Sequence, residues 1–155
     1  MNIDEYLNQL RQFKRQEERL YLKAERKEAA LVSPRSSANF GDGIQTRGGF
    51  GNQRDIILTD LADLISDYRT AHTNYMNFRE ELRAHFYNMT YWQGAILLQV
   101  YINNVIFESD DDLRGVGEIL DTTSRRVICS KLAEAKNALR ERLRNQGVEI
   151  EDTKK

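Results

Sequence analysis

Helix breakers are scarce in this sequence. One proline, Pro34, stands among 155 residues, and the long segments are built from Leu, Glu, Arg, Lys and Ala, with few β-branched runs to favour strands. That scarcity predicts an all-α chain with little or no sheet. A single cysteine, Cys129, excludes an internal disulfide and a cysteine-based zinc site, and it suits a reducing compartment. Net charge is nearly absent too, at −1 at pH 7, so nucleic-acid binding has no global electrostatic signature and must rest on local charge. Long apolar runs are missing. The longest, Ala95 to Val100, is interrupted at Gln99, far below the roughly 18 residues of a membrane span. Met1 to Gln16 puts polar residues where a secretory signal needs unbroken apolar ones. The expectation is a soluble, cytoplasmic protein without membrane contact, long enough for one domain or for a small domain with a helical extension.

What is present is helical periodicity. From Ile3, the positions Tyr6, Leu10, Phe13, Glu17, Leu20, Ala24, Lys27 and Leu31 follow in steps of three and four, a heptad stripe interrupted only by Glu17 and Lys27. It predicts a helix from about Asp4 to Leu31, ended ahead of Pro34 because proline disfavours helical geometry in the residue before it. A second stripe, Ile57, Leu61, Leu64, Tyr68, Ala71, Tyr75, Phe78, Leu82, His85 and Met89, is apolar or aromatic at nine of ten positions. Two such helices either fold back as an antiparallel hairpin or pair with the same helices of a second copy, a homodimer. Between them, residues 33–54 carry Ser, Asn, Gln, the only proline and Gly41, Gly43, Gly48, Gly49 and Gly51, and read as a flexible loop. No Lys-Ser or Lys-Thr pair follows these glycines and no apolar strand precedes them, so they are not a phosphate-binding loop.

Residues 90–147 read as a separate domain. Tyr91, Trp92, Ala95, Ile96, Leu97, Val100, Tyr101 and Ile102 are apolar around most of a helix, as expected of a core element. Ser109 with Asp112 forms a capping box for a short helix, Leu113 to Leu120. Asp121 to Ser124 then makes a tight polar turn in which any of three hydroxyls caps the last helix. In that helix, Arg125 to Arg144, the stripe Ile128, Leu132, Ala135, Leu139 and Leu143 packs, and Arg126, Ser130, Ala133, Asn137 and Arg144 lie opposite. Gly147 reads as an end signal and residues 148–155 as a disordered tail.

Catalytic chemistry finds no constellation. His72 and His85 sit too far apart along one helix to share a metal, Cys129 has no base in its sequence neighbourhood, and Asp110, Asp111 and Asp112 lack the calcium-loop spacing. The chain therefore reads as a non-enzyme without metal or cofactor. The informative signal is charge separation: Glu108 to Asp121 holds six acidic residues against one Arg, a balance of −5, while Thr122 to Arg144 holds seven Lys or Arg against two Glu, a balance of +5. The two cancel in the total. The basic half predicts contacts with double-stranded DNA from Arg125, Arg126, Ser130, Lys131, Lys136, Asn137 and Arg140, with Arg125, Arg126 and Ser130 nearest the base edges. An alternative is that basic residues merely complement the helix C-terminus.

The segments Ile96-Leu97-Leu98-Gln99-Val100-Tyr101-Ile102, Val116-Gly117-Glu118-Ile119-Leu120 and Ile128-Cys129-Ser130-Lys131-Leu132, with Ala135 and Leu139, resemble sigma-factor region four over about 45 residues. With the heptad helices and the Gly-rich loop, including Gly43-Ile44-Gln45-Thr46, the chain resembles the phage-encoded ArpU and RinA-like transcriptional regulators. That resemblance implies a C-terminal helix-turn-helix and regulation of late phage or prophage genes in a bacterial host by binding promoter DNA; the long N-terminal helices would then dimerise the chain or engage host RNA polymerase. The competing expectation is a phage adaptor, or an inhibitor of a host protein, that works through the heptad helices without DNA.

Overall fold

In the computed structural model, the described residues are 1–32, 47–103 and 114–152, with side chains left out at 47–52. Five helices run through them: α1 (Ile3–Val32), α2 (Arg47–Tyr87), α3 (Tyr91–Leu97, continued by a π-helical segment Leu98–Asn103), α4 (Arg114–Leu120) and α5 (Arg125–Asn145). The chain is all-α, with one isolated bridge between Asn2 and Glu151. None of the described helices is long and apolar enough to cross a membrane. The Ser109–Asp112 capping box and the Gly43–Thr46 motif fall outside the described residues. The loop expected over 33–54 is shorter at its C-terminal end, because α2 already begins at Arg47 and runs through Gly48, Gly49 and Gly51. Glycine costs about 1 kcal/mol in a helix, but extending an existing helix adds one hydrogen bond per residue fixed and needs no new nucleus.

Two compact units divide the chain, and they do not follow the boundary near residue 90 that the sequence suggests. One is Met1–Lys14 with Tyr75–Lys155; the other is Arg15–Asn74. The first unit contains the main core, in which Ile3, Tyr6, Leu7 and Leu10 from α1 and Leu82 and Phe86 from α2 join Ile96, Leu97, Val100, Tyr101, Ile102, Val116, Ile128, Ala135, Leu139 and Leu143. The heptad stripe continues across Lys14 without a break, so nothing in its period marks where this core starts. Leu7 lies off the stripe yet is fully buried, as a helix covered on more than one side requires. Tyr6 stacks edge-on against Phe78 at 5.3 Å and donates its hydroxyl to Glu81 at 2.8 Å. Burial, with the Glu81 carboxylate beside it, pushes that phenol well above its ordinary range.

Within the second unit, Glu17 Oε1 lies 3.3 Å from His72 Nδ1, Tyr21 meets Tyr68 at 5.9 Å, and Lys27 pairs with Asp60 at 3.4 Å. The pairing partners descend along α2 as they ascend along α1, so the two helices are antiparallel here. Both interruptions of the stripe lie in the seam. Glu17 is only 7% exposed, and Lys27 reaches across to its carboxylate.

The end of the chain also departs from expectation. Gly147, at φ +84, adopts the left-handed geometry that glycine tolerates best, and its N–H donates to the Arg144 carbonyl while Val148 N–H donates to Leu143, both at 3.0 Å. This Schellman turn reverses the chain. Residues 148–152 are therefore docked rather than loose: Ile150 is 5% exposed in the core, Glu151 N–H donates to the Met1 carbonyl at 2.9 Å, and Arg144 Nε donates to the Ile150 carbonyl at 2.8 Å. One apolar residue in a charged tail is a weak sequence signal, yet it suffices once the turn aims it inward. Tyr91 differs as well: it opens α3 on the solvent side, 87% exposed, while Trp92 packs.

Ile150→Ala is expected to lower the unfolding free energy by about 1–3 kcal/mol, the value of burying such a side chain, read from urea denaturation. His85 gives a pH test. Burial holds its imidazole below the ordinary histidine range, opposed by Glu81 and reinforced by Arg142. The neutral ring therefore contributes stability that is full above about pH 6.5 and is lost as pH falls through the lower folded value. His85→Gln should flatten the fall in melting temperature that the wild-type chain shows over that window.

Candidate nucleic-acid interface

α4 and α5 are joined as a short helix, a four-residue turn and a long helix. α4 ends because Asp121 takes a left-handed conformation, φ 53. Thr122 N–H then donates to Gly117 at 2.9 Å and Asp121 N–H to Glu118 at 3.4 Å, a second Schellman turn. A side chain at Gly117 would come within 2.6 Å of the Thr122 carbonyl and 3.3 Å of Ile128 Cδ1, so glycine is what lets the turn fold onto α5. Of the three hydroxyls, Ser124 is the cap. It accepts from Val127 N–H at 3.5 Å, and Thr122 Oγ1 accepts from Ser124 N–H at 3.1 Å.

α5 buries Ile128, Ala135, Leu139 and Leu143, the stripe expected of it, with Leu132 partly buried. On the opposite face Arg126, Ser130, Ala133 and Asn137 are all exposed. At 100° per residue Ser130 and Asn137 fall within about 40° of Arg126 around the helix, so the three polar side chains form one strip. Arg125, exposed beside it, completes the N-terminal end.

The other three expected contacts have carboxylate partners of their own. Lys136 donates to Asp4 at 2.8 Å and lies 5.8 Å from the Tyr101 ring centre, which also receives Arg11 at 5.1 Å. Burial pulls the Lys136 ammonium down, but the Tyr101 hydroxyl and the Asp4 carboxylate outweigh it and hold the pKa above the ordinary lysine value. Arg140 pairs with Asp152 at 3.3 Å, as Arg144 does at 2.9 Å. Lys131 pairs with Glu134 at 3.2 Å and sits 4.9 Å over the Trp92 ring. Lys136 and Arg140 are thus structural residues here, tied to the two chain ends. Nothing in the spacing of α5 signalled this, because their partners lie 132 positions upstream and in a tail that reads as loose.

Cys129 is exposed, and among the described residues no group of three or more His, Cys, Asp or Glu side chains is placed to hold a metal ion. No family model, curated protein or solved structure matches the chain.

Lys136→Ala should cost about 1–2 kcal/mol of stability, since it leaves Asp4 without its cation and the Tyr101 ring with Arg11 alone. Arg126→Ala, on the exposed strip, should change stability by less than about 0.5 kcal/mol. Equal effects in chemical denaturation would contradict the division into structural and available basic residues.

Proposed function

We propose that this chain is a non-enzymatic, DNA-binding transcription regulator acting on late phage or prophage genes in the cytoplasm of a bacterial host. The observation that carries the reading is the exposed strip Arg126, Ser130, Asn137 on a long helix that follows a short one across a tight, capped turn. A helix so placed enters the major groove with its N-terminal residues toward the bases. Arg126 is the residue suited to bidentate bonding with a guanine edge, and Ser130, one turn on, donates to or accepts from either base of a pair. Asn137 is about 16 Å further along the axis than Arg126, where the helix leaves the groove toward sugar and phosphate. Lys131 adds a phosphate contact, because an exposed lysine–glutamate pair is weak enough to exchange its carboxylate for a phosphate. The phage and late-gene parts of the proposal rest on the resemblance of the whole chain to ArpU and RinA-like regulators, and the helix-turn-helix part on the resemblance of residues 96–139 to sigma-factor region four.

An adaptor that binds protein through the heptad helices is the second reading. It is favoured by the exposed Tyr21, Leu58 and Ile65 on those helices.

Retardation of DNA from the chain's own promoter region separates the two. The regulator reading expects retardation at low salt that fades steeply as salt rises. Arg126→Ala should weaken specific binding about 10-fold, roughly one base contact, and Arg125→Glu with Arg126→Glu should abolish it while helicity is unchanged. Absence of salt-sensitive retardation by the wild-type chain would overturn the DNA reading.

A further inference from the structure

The hairpin of residues 15–74 has two unlike sides. The antiparallel seam uses Glu17, Leu20, Ala24, Lys27 and Leu31 against Ile57, Leu61, Leu64, Tyr68 and Ala71, and only Glu17, Leu20 and Ala71 become buried. One side of the seam is an open groove with Lys23, Arg26 and Lys27 along α1 and Asp60, Asp63 and Asp67 along α2. Helical projection puts the remaining flanks on the other side: Glu18, Tyr21, Glu25 and Glu28 of α1, and Leu58, Ile65 and Arg69 of α2. There Tyr21, Leu58 and Ile65 are large apolar residues left 50%, 45% and 38% exposed. Two helices alone cannot cover them.

We infer that this second side is a self-association surface, on which the hairpin of a second copy of this chain packs to make a four-helix bundle. The apolar residues supply the burial, and the charge pattern selects the occupant and its orientation. The α1 edge is acidic, with Glu18, Glu25 and Glu28, while Arg69 stands on the α2 edge at the level of Glu18, as the pairs Glu17–His72 and Tyr21–Tyr68 fix it. A symmetric dimer presents the same patch twice. A two-fold axis perpendicular to the helices would set α1 against α1 and oppose three carboxylates to three. An axis parallel to the helices sets α1 of one copy over α2 of the other at the same level, so Glu18 meets the other copy's arginine at both ends of the relation. Charge complementarity of this kind sets register and orientation while apolar burial supplies affinity.

The inference stands apart from DNA binding, and sedimentation velocity of the full chain tests it. The wild-type chain should dimerise with a dissociation constant of about 1–100 μM. Leu58→Glu with Ile65→Glu should leave a monomer of unchanged helicity, while Ile56→Glu, more exposed but on the grooved side, should stay dimeric. Glu18→Arg alone and Arg69→Glu alone should each dimerise about 10-fold more weakly, and an equimolar mixture of the two should regain wild-type affinity, because both cross-pairs then join opposite charges. A monomeric wild type, a dimeric Leu58→Glu/Ile65→Glu chain or a monomeric Ile56→Glu chain would overturn the surface. A mixture that fails to recover would overturn the orientation.

Discussion

The C-terminal helices depend on the first three turns of α1. α3 and its π-helical continuation bury Ile96, Leu97, Val100, Tyr101 and Ile102, residues that point around most of the helix. A segment apolar on so much of its circumference must be covered from several directions. α4 and α5 cover part of it with Val116, Ile128, Ala135 and Leu139, and the same core takes Ile3, Leu7 and Leu10 from α1 and Leu82 and Phe86 from α2. At about 25 cal/mol for each Å2 of apolar surface removed from water, three fully buried aliphatic side chains are a large share of the net stability of a unit this size. The recognition-like helix is therefore held by the beginning of the chain, and its geometry cannot be separated from it.

That dependence redistributes the charge on α5. Bringing Ile3 and Leu7 into the core brings Asp4 with them, and Asp4 meets Lys136. Reversing the chain at Gly147 brings Ile150 in, and Asp152 follows onto Arg140 and Arg144. Lys136, Arg140 and Arg144 thereby gain carboxylate partners, the two arginines sharing Asp152, while Arg126 at the N-terminal end keeps its exposure. The +5 balance of this stretch therefore counts cations that already have carboxylate partners.

Local rules made much of the fold legible. Period placed α1, the body of α2 and the packed face of α5; Pro34, the hydroxyl run Thr122 to Ser124 and Gly147 marked ends because capping and turn chemistry act over a few residues. The candidate strip was legible for the same reason, since opposition to Ile128, Ala135 and Leu139 is a matter of helical angle alone. What stayed hidden depends on tertiary contacts. The division at Lys14 and the pairing of Lys136 with Asp4 follow from contacts that no sequence window spans, while the docking of Ile150 and the Arg140–Asp152 pair are close in sequence but appear only once the chain reverses at Gly147.

The interruptions of the heptad show how a local fault becomes a long-range specification. Alone, Glu17 in an apolar stripe reads as a cost, because burying a carboxylate without a partner is expensive. In the hairpin it is met by His72, and Lys27 by Asp60. Sliding α2 by one heptad would keep apolar residues in the seam, since Leu64, Tyr68, Ala71 and Tyr75 repeat at that spacing, but would carry His72 and Asp60 about 10 Å away from their partners. The apolar stripe alone is nearly degenerate in register. Glu17, buried beside His72, lifts that degeneracy as a single buried polar residue does in a coiled coil, and the half-exposed Lys27–Asp60 pair adds little to it.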